Sequence, residues 1–74
     1  MAIDFSRLSG RIVEKFGTQL EFARAMGLSE KTISFKLNNV VPWKVPEIIK
    51  AAQLLDIKDE EVYEYFFMQK VNLS

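Results

Sequence analysis

The sequence predicts a small all-α domain of five short helices. Three observations support this prediction. Apolar residues recur at three- and four-residue intervals, the spacing of one helix face, over most of the chain. Glycines and N-capping residues divide that pattern into short segments. Nearly half of the 74 residues are apolar, so the chain can bury a core, and we expect one domain over residues 1–74.

The first two helices are marked by residues typical of helix ends. A helix over about residues 5–16 can be N-capped by Asp4 and ended by Gly17. A second helix, over residues 18–26, opens with the capping box Thr18-Gln-Leu-Glu21, whose end residues each bind a free backbone N–H. The residues of this helix predicted to face inward are Leu20, Ala23 and Met26.

Gly27 ends the second helix, and a third follows over residues 29–38. Ser29 is first of all its N-cap and only second a binding contact. Ile33 and Leu37 lie four residues apart and form its buried face. Three residues do not share that face: Ser34, Phe35 and Asn38.

Two more helices are predicted in the second half of the chain. Pro46 fits the first turn of the fourth, where its missing N–H costs little. The predicted apolar face of this helix consists of Ile48, Ile49, Ala52 and Leu55. The fifth helix opens at residue 58 or 59, with Glu60 and Glu61 at its positive end. Its predicted apolar contacts are Val62, Tyr63, Phe66 and Phe67.

The end of the chain has a less regular pattern. We interpret the aromatic cluster over residues 63–67 as core plus a dimer surface. The tail, residues 68–74, is predicted to be extended or flexible. Val71 and Leu73 alternate with polar residues, which leaves a short strand, an extension of the last helix and disorder as alternatives.

The composition excludes several kinds of site. The chain has no cysteine and no histidine, which rules out disulfides, the usual zinc sites and Ser-His-Asp or Cys-His catalysis. Because there is no Gly-rich phosphate loop either, we expect no enzyme, no metal, no cofactor and no small-molecule substrate. No stretch approaches the roughly 20 apolar residues of a membrane span, and the acidic Asp4 stands where a signal peptide would be basic. We therefore expect a cytoplasmic protein.

Charge is distributed unevenly along the chain. The net charge is zero, but residues 1–50 carry +3, from eight Lys and Arg against five Asp and Glu, and residues 51–74 carry −3. A nucleic-acid-binding domain is typically basic, so the neutral total argues against DNA binding while the positive first part favours it. The acidic C-terminal third is expected to stay away from phosphate.

Residues 18–38 are predicted to form a helix-turn-helix. The small Ala23 allows the two helices to approach, Ile33 packs in the angle between them, and the tight turn needs Gly27. The run Gln19–Asn38 has the pattern Gln-x3-Ala-x3-Gly-x-Ser-x3-Ile-Ser-x2-Leu-Asn. As a whole, it resembles the helix-turn-helix of phage Cro and repressor proteins.

The resemblance covers nearly the whole chain. Small Cro-like proteins and modulators of repression from temperate phages of Gram-positive bacteria are similar to it at three further places. These are the opening Phe5-Ser-Arg-Leu-Ser-Gly-Arg-Ile12, the pair Pro42-Trp43 and the run Tyr65-Phe-Phe67. The resemblance implies a compact five-helix lambda-repressor-like domain that works in the cytoplasm of the bacterial host.

The resemblance also implies roles for individual residues. The family position matching Gln19 contacts phosphate at the start of the second helix, and the one matching Asn38 supports phosphate contacts. Asn39 stands where the family often has glycine. The positions that face base edges in the major groove match Glu30, Lys31 and Ser34.

Several residues near the third helix have a structural interpretation as well as a functional one. Glu30 either reads a base or stabilises the helix dipole. Lys36 and Lys44 are either solvated charges or phosphate contacts. Phe35 lies off the buried stripe, where it touches a thymine methyl, packs under the loop of Trp43 or anchors a protein partner. Trp43 itself is interpreted as core cover rather than a base-stacking platform.

Two functions are compatible with these observations. The first is sequence-specific binding of double-stranded operator DNA by a homodimer, with residues 29–38 in the major groove at a phage lysis–lysogeny switch. The alternative is an antirepressor, or modulator of repression, that binds the phage repressor protein through the same face. Zero net charge, Glu30 and an exposed Phe35 favour this alternative. DNA binding would be steeply salt-dependent, and a protein interface much less so.

Overall fold

A computed structural model describes residues 2–70. The first element of the fold is helix α1, Ser6–Phe16. The elements that follow are α2 Gln19–Met26, α3 Glu30–Leu37, α4 Val45–Leu54, a 3₁₀ turn Asp59–Glu61 and α5 Val62–Phe66. The described residues contain no strand, although an isolated antiparallel bridge joins Ile3 to Gln69. The prediction of an all-α fold with five helices is confirmed.

Side-chain oxygens accept hydrogen bonds from backbone N–H groups at the starts of α1 and α2. Each of these two starts differs in one respect from the predicted cap. Asp4 Oδ1 accepts from the Ser6 N–H at 2.9 Å, but α1 begins one residue later than predicted. Thr18 Oγ1 accepts from the Glu21 N–H at 3.2 Å, while the Glu21 carboxylate pairs with Arg24 at 3.0 Å instead of reaching back. The predicted capping box is therefore only half formed.

Two apolar residues predicted to be buried lie at the surface. Leu20 is 39% exposed because Phe22, about 200° away around α2, points into the core. The Phe22 ring meets the Phe16 ring edge-on, with their centroids 5.5 Å apart. Ile49 is 54% exposed for the same reason, since the buried Ala51 lies on the opposite side of α4. The largest fully buried side chains are Leu8, Ile12, Phe22, Ile33 and Leu55.

Helix α5 contributes to the core from one side only. Phe66 is buried, and Tyr65 packs against the core although it was not predicted to do so. Tyr63 and Phe67, predicted as apolar contacts of this helix, are exposed and stack on each other with ring centroids 6.5 Å apart. A five-residue helix cannot turn all of its aromatic side chains toward one core.

The end of the described chain pairs with its beginning. The Asp4 N–H donates to the Met68 carbonyl at 2.7 Å, and the Lys70 N–H donates to the Ala2 carbonyl at 3.0 Å. These bonds hold the chain extended on either side of the bridge. The alternatives predicted for residues 71–73 lie outside the described residues.

The turn between α2 and α3 depends on Gly27, whose φ is 75°. Gly27→Val is expected to lower the free energy of unfolding by about 2 kcal/mol, because a β-branched residue is strained at positive φ. A Cβ at this position would meet only the end of the Lys50 side chain, at 4.0 Å, so backbone strain sets the cost rather than a clash. Urea denaturation measures the change.

Two glycine substitutions serve as controls for this prediction. Gly27→Asn should cost less, since asparagine tolerates the left-handed region. Gly10→Ala should stabilise the protein by about 1 kcal/mol, because Gly10 lies inside α1 with no atom within 4 Å of an added Cβ. An unchanged melting temperature for Gly27→Val would contradict the assignment of the turn.

Candidate functional site

The outer side of α3 carries side chains that reach solvent. Lys31, Ser34 and Phe35 are spaced so that they share one side of the helix, away from the buried Ile33. Phe35 is 38% exposed and lies outside the core cluster. Lys31 Nζ lies 5.5 Å from the centre of the Phe35 ring, within the range of a cation–π contact. We call Glu30, Lys31, Ser34 and Phe35 the α3 face.

The start of α3 is capped by Ser29, as predicted. Ser29 Oγ accepts from the Thr32 N–H at 3.1 Å and shares a hydrogen bond with the Thr32 hydroxyl at 2.8 Å. Ala23 and Ile33 are both buried where α2 and α3 pack together. Gln19, at the first position of α2, is half-buried. The α3 face is thus held on a capped helix that packs firmly against α2.

Lys36, predicted to be a solvated charge or a phosphate contact, is buried. It is 2% exposed, and its Nζ donates to Glu47 Oε1 at 2.7 Å and to the Pro42 carbonyl at 2.9 Å. Its Nζ also lies 5.7 Å from the centre of the Trp43 ring. The helical spacing indicates this burial, since Lys36 follows Ile33 by three residues and lies on the same buried side of α3. The prediction of Lys36 as a partner contact is therefore wrong.

Glu47 ties α3 to the start of α4. Besides Lys36, the backbone N–H of Lys44 donates to Glu47 Oε1 at 2.8 Å. Burial disfavours the charged carboxyl, but these hydrogen bonds and the positive charges of the two lysines outweigh it and hold the pKa of Glu47 below its ordinary value. The side chain of Lys44 is exposed, so Lys44 remains a candidate contact.

Two asparagines end α3, and both use their side chains within the chain. Asn38 Nδ2 donates to the Ser34 carbonyl at 2.7 Å. The Asn39 side chain accepts from the Ile3 N–H and donates to the Ile3 carbonyl, both at 2.9 Å. The φ of Asn39 is 63°, a conformation that glycine and asparagine adopt most readily, which explains why asparagine can replace glycine here. Asn39, predicted as a binding contact, fastens the N-terminal segment through this side chain and remains exposed.

Trp43 covers the core, as predicted. Its ring meets Phe66 edge-on with centroids 5.3 Å apart and lies 6.4 Å from the Phe5 ring. Its indole Nε1 is buried, and no described residue accepts a hydrogen bond from it. Trp43 is therefore a structural residue with one unsatisfied polar atom.

Most of the positive charge in residues 1–50 is neutralised internally. Of the eight Lys and Arg in residues 1–50, those paired with carboxylates are Arg7, Arg11, Lys15, Arg24 and Lys36. Lys50 Nζ donates to the Met26 carbonyl at 3.2 Å, at the negative end of α2. Among the described residues, this leaves Lys31 and Lys44 as the cations of residues 1–50 without such a bond.

The structure separates the ten predicted contact residues into groups. Those on α2 and α3 that still reach the surface are Gln19, Ser29, Glu30, Lys31, Ser34, Phe35 and Asn38. Lys36 is buried, Asn39 is exposed but bonded to Ile3 as Asn38 is to Ser34, and Lys44 stands apart at the start of α4. Two exposed apolar neighbours of these residues were missed, Leu20 and Val40. The spacing of Leu20 from the buried stripe of α2 would have revealed the first, whereas no pattern marks Val40.

Among residues 2–70, no helix is long and apolar enough to cross a membrane. The same residues contain no group of acidic side chains placed to hold a metal ion.

The fold is that of a small all-α domain, and the α3 face lies on the solvent-exposed side of one of its short helices. The chain belongs to the family described as Protein of unknown function (DUF739), whose model matches residues 1–69. It is similar to the modulator of repression (MOR) of the temperate bacteriophage TP901-1 from Lactococcus lactis, with 51% sequence identity. The match covers 97% of each chain, and the TM-score to that solution structure is 0.80. None of the curated proteins compared with the chain matches it.

This similarity agrees with the narrower part of the resemblance found in the sequence, that to modulators of repression of temperate phages.

Proposed function

We propose that this protein is a modulator of repression of a temperate phage and that it binds the phage repressor protein. The observation that carries the proposal is the 51% identity with the TP901-1 modulator of repression over 97% of both chains. We expect the protein to act in the cytoplasm of the bacterial host, without a cofactor and without catalytic activity. A modulator of repression can act on the repressor itself or on its operator, and the chemistry of the α3 face favours the repressor.

The α3 face has the properties of a protein interface. Phe35 holds an aromatic ring partly in solvent, and aromatic residues are enriched among interface hot spots. Glu30 and Lys31 carry opposite charges beside it, so the face is nearly neutral. A phosphate-binding surface needs several uncommitted cations, and most of the lysines and arginines near this face are already paired.

DNA binding is the second candidate function. It is supported by two short helices, α2 and α3, that are joined by a glycine turn and capped at Ser29, an arrangement compatible with the predicted Cro-type helix-turn-helix. In this alternative Lys31 and Ser34 would contact base edges, and Gln19 would contact phosphate. The protein would then bind an operator as a homodimer. The scarcity of free cations makes this the weaker candidate.

A titration at two salt concentrations separates the two functions. The purified protein is titrated with the repressor of its own phage and, separately, with duplex DNA from the regulatory switch of that phage. We expect saturable repressor binding that changes little between about 50 and 200 mM salt, together with release of the repressor from its operator. DNA binding that weakens by about 10³ over the same range would favour the second candidate. Binding to neither would contradict both.

A further inference from the structure

A groove of about 340 Å³ opens beside the loop that follows α3. Its lining is mainly apolar and comes from distant parts of the chain, among them Ile3, Val41, Trp43 and Phe67. The Val41 N–H donates to the Phe35 carbonyl at 3.3 Å, so this loop is fastened to the end of α3. The groove therefore begins at the C-terminal end of α3, where Lys36 of that helix also lines it.

One residue that lines the groove has a buried polar atom without a hydrogen-bond partner among the described residues. Nε1 of Trp43, one of the lining residues, is buried without an acceptor among the described residues, whereas buried N–H groups in folded proteins nearly always have one. Phe67, another lining residue, is 45% exposed, and the adjoining Met68 is exposed as well. Apolar side chains gathered in solvent around an apolar groove are typical of a surface that binds a partner.

The charges next to the groove are mainly positive. Lys44 follows Trp43 directly, and Lys70 is bonded through its N–H to the Ala2 carbonyl, next to the lining residue Ile3. Two carboxylates adjoin lining residues in sequence. Asp4 accepts from the Ser6 N–H at 2.9 Å and from the Ser6 hydroxyl at 2.7 Å, and Glu47 pairs with the lining residue Lys36 at 2.7 Å, so the net charge at the border is slightly positive. A segment that complements this border carries carboxylates beside its apolar side chain.

We infer that this groove is a second contact surface for the repressor and that it receives an apolar side chain from an acidic segment of that protein. The inference rests on the proposed function and adds the chemistry of the partner to it. Each protein then inserts an apolar side chain into the other: Phe35 of this chain contacts the repressor, and an apolar side chain of the repressor enters the groove.

Trp43 is the single tryptophan of the chain, so a tryptophan label reports on one lining residue of the groove. The protein is prepared with fluorotryptophan, and the unlabelled repressor of its phage is added while fluorine NMR is recorded. We expect the Trp43 resonance to shift as the repressor saturates the protein. An unchanged resonance at saturation overturns the inference and leaves the proposed function intact. Absence of any repressor binding overturns both.

Two pairs of variants test the groove and its border. Phe67→Asp should weaken repressor binding about tenfold or more, while Val13→Asp, at another exposed apolar position on α1, should not. Lys44→Glu should weaken binding, while Lys58→Glu, also at an exposed lysine, should not. Circular dichroism confirms that each variant is folded. Wild-type affinity for Phe67→Asp overturns the groove as a contact, and a gain in affinity for Lys44→Glu overturns the acidic character assigned to the partner.

Discussion

Glu47→Ala is expected to lower the free energy of unfolding by about 3 kcal/mol, a large share of the stability of a small domain. The substitution leaves the buried Lys36 ammonium with the Pro42 carbonyl as its remaining acceptor. Removing one member of a buried ion pair is costly because the other charge stays in a poorly solvating environment. The change also removes the acceptor of the Lys44 N–H at the start of α4. Urea denaturation followed by circular dichroism measures the loss.

Two variants serve as controls for the buried pair. The double variant Lys36→Met with Glu47→Leu replaces both partners by apolar chains, leaves no unpaired charge and should recover most of the lost stability. Glu14→Ala removes an exposed carboxylate that pairs with Arg11, and should cost less than about 1 kcal/mol. Similar losses for Glu47→Ala and Glu14→Ala would show that the Lys36 pair contributes no more than a surface ion pair.

The same carboxylate makes the stability of the fold depend on pH. The pKa of Glu47 is lower in the folded chain than in the unfolded chain, where it is about 4.3. Its contribution is therefore complete above that pH and is lost as the pH falls through the folded-state pKa. Asp4, whose pKa is lowered by hydrogen bonds from Ser6, acts in the same direction. The urea midpoint should fall below about pH 4, and it should fall less in Glu47→Gln.

The starts of α2 and α3 could be predicted because they depend on neighbours in the sequence, whereas the fifth helix, predicted from residue 58 or 59, begins as a 3₁₀ turn and becomes α-helical only at Val62. Thr18 and Ser29 each accept from a backbone N–H three residues ahead, and Gly27 needs only its own φ. The position of Ile33 on the same helix likewise placed Phe35 off the buried stripe, but packing under the loop of Trp43 was left as an alternative, and the structure shows Phe35 38% exposed.

The orientation of a helix against its neighbours could not be predicted in the same way. Whether Leu20 or Phe22 faces the core depends on how α2 packs on α1, where Phe16 receives the Phe22 ring. The role of Asn39 depends on Ile3, which lies 36 residues away in sequence. The groove is likewise assembled from segments that no local pattern connects, so the sequence predicted the α3 face and missed the surface beside it.

Phe35→Ala is expected to weaken repressor binding about 30-fold or more while leaving the fold nearly intact. An aromatic hot spot typically contributes about 2 kcal/mol or more, and 1.4 kcal/mol corresponds to a factor of ten. Phe35 lies outside the core cluster and is partly exposed, so its truncation opens no internal cavity and should cost less than about 1 kcal/mol of stability. Calorimetric titration and thermal denaturation measure the two quantities separately.

Two controls show whether the loss comes from the aromatic anchor. Val13→Ala truncates another exposed apolar residue, on α1, and should keep full affinity. Lys31→Met keeps the length of the side chain but removes the cation beside the Phe35 ring, which should cost about 0.5–1 kcal/mol of binding at most. Unchanged repressor affinity in a folded Phe35→Ala variant would mean that the partner binds elsewhere. A stability loss of several kcal/mol would instead make Phe35 a core residue, and the α3 face would lose its anchor.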